Sequence, residues 1–307
     1  MRTPVMPSAP LSEHVGAPVG CKLEGLQATG SFKVRGAASR ILAATSAPEP
    51  LAGVVTASTG NHGRAMAHIA RQLDIPAIVC VSDNVPDGKV AALRQLGCEL
   101  VVGGDSQAAA LVTAADLAAT RNLVLVHPFD DPEVIAGQGT IGLEVLDQAP
   151  ETTTVVVPLS GGGLLAGIAV AVKGLRDDVR VVGVSMEGGA VMAASLAAGH
   201  PVDLPETRSL ADSLQGGIGL DNVHSWPLVR DLVDEVVLVD EQSIWDGMRF
   251  AMDQHRLVLE GAGAIAMGAL LSGAVEVDGP TVTICSGSNA ELAQVEALAR
   301  RDTSPPP

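Results

Sequence analysis

Short apolar runs alternate with stretches of helical periodicity along most of the chain. Runs at 53–58, 76–82, 99–102, 123–127, 154–159, 179–184, 235–239 and 281–285 predict strands. Between them, residues 60–73, 86–96, 107–119, 133–146, 163–175, 191–198, 242–254 and 262–271 predict helices. An earlier helix is expected over 31–42, capped by Thr29 or Ser31. The strand runs are apolar on both faces rather than alternating. That pattern belongs to parallel sheets covered by helices on each side, so the fold class is α/β. Residues 200–226 mix Pro, Gly and Asp without period and predict a long connection of the kind that often carries function. No internal repeat is present, and only the Pro-rich 303–307 tail is of low complexity.

Composition sharpens this picture in two places. Of 307 residues 47% are apolar, yet they include three Phe, two Trp and no Tyr. The core must be built from Ala, Val, Leu, Ile and Gly, and no tyrosine can act as a base. The chain is long enough for two lobes. Its longest apolar runs, such as 164–172, are too short to span a bilayer. The first ten positions lack the basic flank and apolar stretch of a signal peptide. Cys21, Cys80, Cys98 and Cys285 are far apart in sequence, so reduced thiols and a cytoplasmic location are expected. The net charge of −16, from 19 basic and 35 acidic residues, argues against nucleic acid as a partner. It fits a solubilising acidic surface, with a salt-tolerant host as a second reading.

Four punctuated motifs carry the candidate chemistry. Lys33 lies in Gly30-Ser31-Phe32-Lys33-Val34-Arg35-Gly36 and is one of four lysines, with Lys22, Lys89 and Lys173. A lysine amine forms an imine with an aldehyde; a lone lysine on an amphipathic helix would be read as a surface residue. Ser58-Thr59-Gly60-Asn61-His62-Gly63 joins a strand to a helix. Its hydroxyls and helix N-terminal amides suit a carboxylate, or simply cap a helix. Ser160-Gly161-Gly162-Gly163-Leu164 opens another helix. Backbone N–H groups there can cradle a phosphate, or form a plain turn. The contiguous glycines do not match the dinucleotide spacing, and no Walker lysine follows. Ser286, in Cys285-Ser286-Gly287-Ser288-Asn289, offers a neutral hydroxyl at the end of the last strand. Taken together, an imine-forming amine, a carboxylate turn, a phosphate cradle and a partner for a ring nitrogen are the parts a pyridoxal 5'-phosphate enzyme needs.

With these residues in hand, the chain resembles the fold-type II pyridoxal phosphate enzymes, the group of threonine and serine dehydratases and serine racemase. The likeness runs from Arg2-Thr3-Pro4 to Asn289 and includes Leu23-Glu24, His127-Pro128-Phe129-Asp130-Asp131-Pro132, Ile135-Ala136-Gly137-Gln138-Gly139-Thr140 and Glu260-Gly261-Ala262-Gly263. Within the group it is most similar to threonine-dehydratase-like enzymes of hydroxyectoine utilisation, through Ser185-Met186-Glu187, Met192-Ala193-Ala194-Ser195 and Leu210-Ala211-Asp212-Ser213-Leu214. The resemblance implies a large cofactor-binding domain at 1–51 and 128–307 and a small domain at 52–127, with the cofactor between them. Lys33 would carry the cofactor as an imine and then take the substrate α-proton. Phe32 would pack beside the cofactor, Asn61 would bond its phenolic oxygen, and Glu260 would lie near the ring. Ser160, Gly161, Gly162, Gly163 and Leu164 would bind its phosphate, and Ser286 would meet its ring nitrogen. Ser58, Thr59, Asn61 and His62 would hold the substrate, and Thr59 would face Cα opposite Lys33.

The expected activity is lyase-type dehydration and deamination of a β-hydroxy amino acid such as threonine or serine, or one derived from hydroxyectoine, by a homodimer. Alternatives are serine or threonine racemisation, β-replacement, and a non-catalytic regulatory protein that kept the fold. Three departures stand out. The family usually has a helix before Arg2-Thr3-Pro4, and its biosynthetic members carry a C-terminal amino-acid-sensing domain that is not seen here. Serine racemases place serine where this chain has Thr59, and many threonine dehydratases place alanine. Serine racemase-like members also hold Mg²⁺ or Ca²⁺ after the strand at 179–184. Matching that loop puts Met186 and Met192 at the carboxylate ligands and Ala190 at the carbonyl, so no metal is expected. Glu187 is one position away.

Overall fold

The structure is a computed structural model that describes residues 1–46, 51–58, 60–83, 93–104 and 106–305. The chain divides into two compact units, Met1–Phe32 with Gly139–Pro307, and Lys33–Gln138. The first holds a six-stranded sheet. In chain order its strands are β1 (Val5–Pro7), β2 (Val19–Leu23), β7 (Thr154–Pro158), β8 (Arg180–Met186), β9 (Glu235–Val239) and β10 (Thr281–Cys285), arranged in space as β1-β2-β10-β7-β8-β9. All neighbours are parallel except β1 and β2. The second unit holds four parallel strands, β3 (Val54–Ala57), β4 (Ala77–Val81), β5 (Glu99–Val102) and β6 (Val124–Leu125), in the order β5-β4-β3-β6. The expected α/β architecture of mostly parallel sheets flanked by helices is present.

The helices, numbered here in chain order, are α1 (Ala9–Val15), α2 (Lys33–Thr45), α3 (Asn61–Gln72), α4 (Gln107–Arg121), α5 (Pro132–Gln148), α6 (Gly163–Leu175), α7 (Val191–Ala198), α8 (Ser225–Leu232), α9 (Glu241–Phe250), α10 (Gly261–Leu271) and α11 (Leu292–Arg300). In the second unit the sheet is covered on both faces. Val54 and Val79 pack with Ala65, Met66 and Ile69 of α3, while Val55 and Ile78 pack with Ala110 and Ala114 of α4. In the first unit α10 is buried along nearly its whole length, as an all-apolar helix must be. Glycines let it meet α9 closely: a Cβ on Gly247 would lie 2.6 Å from the Ala264 carbonyl oxygen.

The second unit is larger than the small domain expected at 52–127. It begins at Lys33 and runs to Gln138. Val34, Ala37 and Ile41 of α2 and Val134 of α5 join the core formed by β3 and α3, so hydrophobic packing draws both flanks into it. The expected cap of the first long helix is also different. That helix starts at Lys33, the backbone of Ser31 forms a β-bridge with Gly287, and among the described residues the buried Thr29 and Ser31 hydroxyls have no partner. The expected helix at 242–254 ends at Phe250 and continues as one π-helical turn, Ala251–His255. Helix α8 cuts into the connection expected at 200–226. The expected helix at 86–96 lies largely outside the described residues.

Candidate active site

The expected site residues fall into two groups, one in each unit. In the second unit β3 ends at the half-buried Ser58, and α3 begins at Asn61. Gly63, in the first turn of α3, approaches Ser58 so closely that a Cβ on it would overlap the Ser58 carbonyl oxygen. The N-terminus of a helix carries the positive end of its dipole, which favours an anion. Thr59 lies outside the described residues.

The His62 side chain is buried. Its ring is 2% exposed, and Nε2 lies 2.9 Å from the Val126 carbonyl oxygen. A carbonyl only accepts, so Nε2 carries the proton and Nδ1 keeps its lone pair. Among the described residues Nδ1 is buried without a partner. Burial first, then the neighbouring Lys33 charge, pulls the imidazole from 6.5 down to about 3. A neutral, buried ring cannot be the cation for a substrate carboxylate. What His62 can offer an anion is its backbone N–H in the first turn of α3.

Lys33 is the first residue of α2, and its Nζ donates to the Pro128 carbonyl oxygen at 2.7 Å. The amine is thus held beside a turn that begins at His127. There the imidazole Nδ1 accepts from the Asp130 N–H at 2.8 Å.

In the first unit β7 leads through Leu159 and Ser160 into the glycine loop, and α6 starts at Gly163. Gly162 has φ +88°, and a Cβ there would sit 2.7 Å from Met192 Cε and 3.2 Å from Ser225 Cβ. Only glycine fits, and the N–H groups of Gly161, Gly162, Gly163 and Leu164 open the helix as anion donors. Two residues that the motifs do not reveal hold this loop. Ser225 Oγ donates to the Gly161 carbonyl at 2.7 Å and accepts from Asn222 Nδ2 at 2.8 Å. Asn222 Oδ1 in turn accepts from the Trp226 N–H at 2.8 Å. Ser225 lies in the irregular region of the sequence, and its spacing from the glycines carries no signal.

Ser286 follows β10 and is buried; its Oγ donates to the Ala262 carbonyl at 3.2 Å. That bond is long for a hydroxyl donor, so the group can turn to a better partner. The Phe32 N–H donates to the Ser286 carbonyl at 3.0 Å, which ties the residue before Lys33 to the end of β10. The Glu260 N–H donates to the Gly287 carbonyl at 3.2 Å, and a Cβ on Gly287 would overlap the Glu260 carboxylate. Taken by itself, the first unit offers a glycine cradle and a buried neutral hydroxyl, groups that fit the phosphate and the ring nitrogen of pyridoxal phosphate. Taken by itself, the second unit offers an amine that fits its aldehyde.

Comparison with known proteins bears on this constellation. Residues 1–287 match the family model described as pyridoxal-phosphate dependent enzyme. A Sinorhizobium fredii protein is 48% identical over 95% of this chain and 88% of its own length. An L-threonine ammonia-lyase of Geobacter sulfurreducens is 41% identical over 98% of this chain and 74% of its own. Among solved structures, maize serine racemase superposes with a TM-score of 0.90 at 35% identity, covering 98% of this chain and 92% of that one. The chain belongs to the pyridoxal-phosphate dependent enzymes, as a threonine-dehydratase-like member with the fold-type II architecture.

Proposed function

We propose that this protein is an ammonia-lyase that converts a β-hydroxy amino acid, L-threonine or L-serine first, into a 2-oxo acid and ammonia. The observation that carries the reading is the Lys33 amine, held by the Pro128 carbonyl in the same unit as the N-terminus of α3. One supplies a base for the substrate α-proton, the other a seat for its carboxylate. Pyridoxal phosphate, when bound, supplies an electron sink for the bond that is broken at Cα. The glycine-loop N–H groups would hold its phosphate, and Asn61 its phenolic oxygen. The Ser286 hydroxyl, being neutral, would bond the ring nitrogen without protonating it, and Glu260 would flank the ring. That neutral partner for the ring nitrogen would favour loss of the β-hydroxyl over transamination. Relatives named L-threonine ammonia-lyase support this reading.

An amino acid derived from hydroxyectoine is the narrower substrate we propose, with a cytoplasmic homodimer as the working form. Exposed Leu143 of α5 and exposed Val170 and Leu175 of α6 supply apolar surface for a second copy. Among the described residues no helix is long and apolar enough to cross a membrane. The likeness to serine racemase favours racemisation as the second activity.

Borohydride reduction and peptide mapping should place the pyridoxyl group on Lys33; a label on Lys22, Lys89 or Lys173 would defeat the assignment. Lys33→Ala should keep the fold and lose elimination. With L-serine, 2-oxo acid should exceed D-serine, and Thr59→Ala should keep most of the elimination. D-serine as the main product would make the enzyme a racemase.

A further inference from the structure

Lys33 and Arg40 are seven residues apart on α2, two helical turns, and so lie on one face. Both reach the same short segment. Lys33 Nζ donates to the Pro128 carbonyl at 2.7 Å, and Arg40 Nε donates to Asp131 Oδ2 at 2.9 Å. Asp131 is a junction. Its other oxygen accepts from the Glu133 N–H at 2.8 Å and the Val134 N–H at 3.0 Å, so the same carboxylate caps α5. Within the turn the His127 ring accepts from the Asp130 N–H and meets the Phe129 ring edge-on at 4.7 Å. The segment from His127 to Asp131 is therefore fastened at both ends and inside, and its Pro128 carbonyl points at the lysine amine. The Arg40 and Asp131 side chains are only 26% and 14% exposed, which limits screening of the pair by salt.

We propose that Arg40 is a positioning residue for Lys33. By clamping Asp131 it fixes the turn whose Pro128 carbonyl holds the amine, both before the amine meets the cofactor and when it is free to take the α-proton. The guanidinium never touches substrate. Its effect passes through Asp131 and the turn to one carbonyl oxygen. A small misplacement of a reacting group is costly, so a contact two helical turns from the amine can govern a rate. This inference rests on Lys33 being the imine-forming residue.

The experiment uses Arg40→Met, which keeps the apolar stem, Arg40→Lys, which keeps a charge, and Asp131→Asn, which keeps an oxygen for the α5 cap. Borohydride mapping of each variant comes first: a label away from Lys33 overturns the assignment of the lysine itself. With the label on Lys33, apo protein is mixed with pyridoxal phosphate and the reaction of the amine is followed by absorbance. It should slow by about tenfold or more in Arg40→Met and in Asp131→Asn, and recover in large part in Arg40→Lys. In loaded enzyme, kcat should fall by a similar factor with KM for L-threonine nearly unchanged. The isotope effect with α-deuterated L-threonine should rise, because proton transfer has become slower relative to other steps. Arg40→Met that melts earlier but keeps the wild-type reaction rate and isotope effect would show that the clasp braces the fold alone, and the proposal would be wrong. Should the variant fail to fold, Asp131→Asn and Arg40→Lys decide by the same measurements.

Discussion

His62 is a residue whose chemistry is set by burial rather than by its type. Its pKa is 6.5 in an unfolded chain and about 3 here, lowered by desolvation and by the Lys33 charge. Below pH 6.5 the unfolded chain takes up a proton that the folded chain refuses. Stability from this group is therefore full above pH 6.5 and is lost as the pH falls towards 3. Between pH 6.5 and about 4.5 the loss should be on the order of 2–3 kcal/mol. Glutamine can donate to the Val126 carbonyl and does not titrate. Urea unfolding across this range should show wild type losing more stability than His62→Gln. Parallel pH curves for the two proteins would mean that the ring is protonated in the folded state or is not buried. At Gly63 the limit is steric: Gly63→Ala must push against the Ser58 carbonyl, so KM for L-threonine should rise along with any loss of stability.

At the scale of elements, legibility followed the strength of the local pattern. Strands β5, β9 and β10 and helices α6 and α7 begin and end where the apolar periodicity says, because each is apolar and bounded by turn residues. The N-terminal β1, α1 and β2 left no such trace. Strand β2 contains Gly20 and Lys22, and the lysine is fully buried only because its Nζ donates to the Thr3 carbonyl at 2.6 Å and to Glu144 at 2.5 Å. Those partners are remote in sequence, so no window contains the reason. The glycine loop was visible in the same way that its support was not. Its residues form a word, but Ser225 reaches it from 64 positions away. Ser225→Ala strands the Gly161 carbonyl without its hydroxyl donor, at a cost of about 1–3 kcal/mol. If that strain is felt by the cradle, the Kd for pyridoxal phosphate, read by equilibrium dialysis, should rise by about tenfold while borohydride still labels Lys33. An unchanged Kd in a less stable variant would confine Ser225 to holding the chain.

At the scale of the whole molecule, 16 net negative charges bear on how added cations are interpreted. Any cation screens the self-repulsion of such a chain, so a rise in Tm with Mg²⁺ is not by itself evidence of a site. The loop after β8, where the sequence resemblance would put a divalent ion, carries two methionines at the matching positions. Met186 and Met192 are buried, Met186 within the core of the first unit, and Met192 Cε packs toward Gly162. Hard cations bind oxygen, and a thioether supplies none. Among the described residues no group of three or more His, Cys, Asp or Glu side chains is placed to hold a metal ion. We therefore expect kcat and Tm to survive exhaustive EDTA treatment. Mg²⁺ or Ca²⁺ at about millimolar concentration should then raise Tm no more than NaCl at matched ionic strength. The matched-salt arm separates screening from binding. A several-fold recovery of kcat, or a Tm gain well beyond that of the salt, would show that a carboxylate such as Glu187 has rebuilt a cation site beside the two methionines.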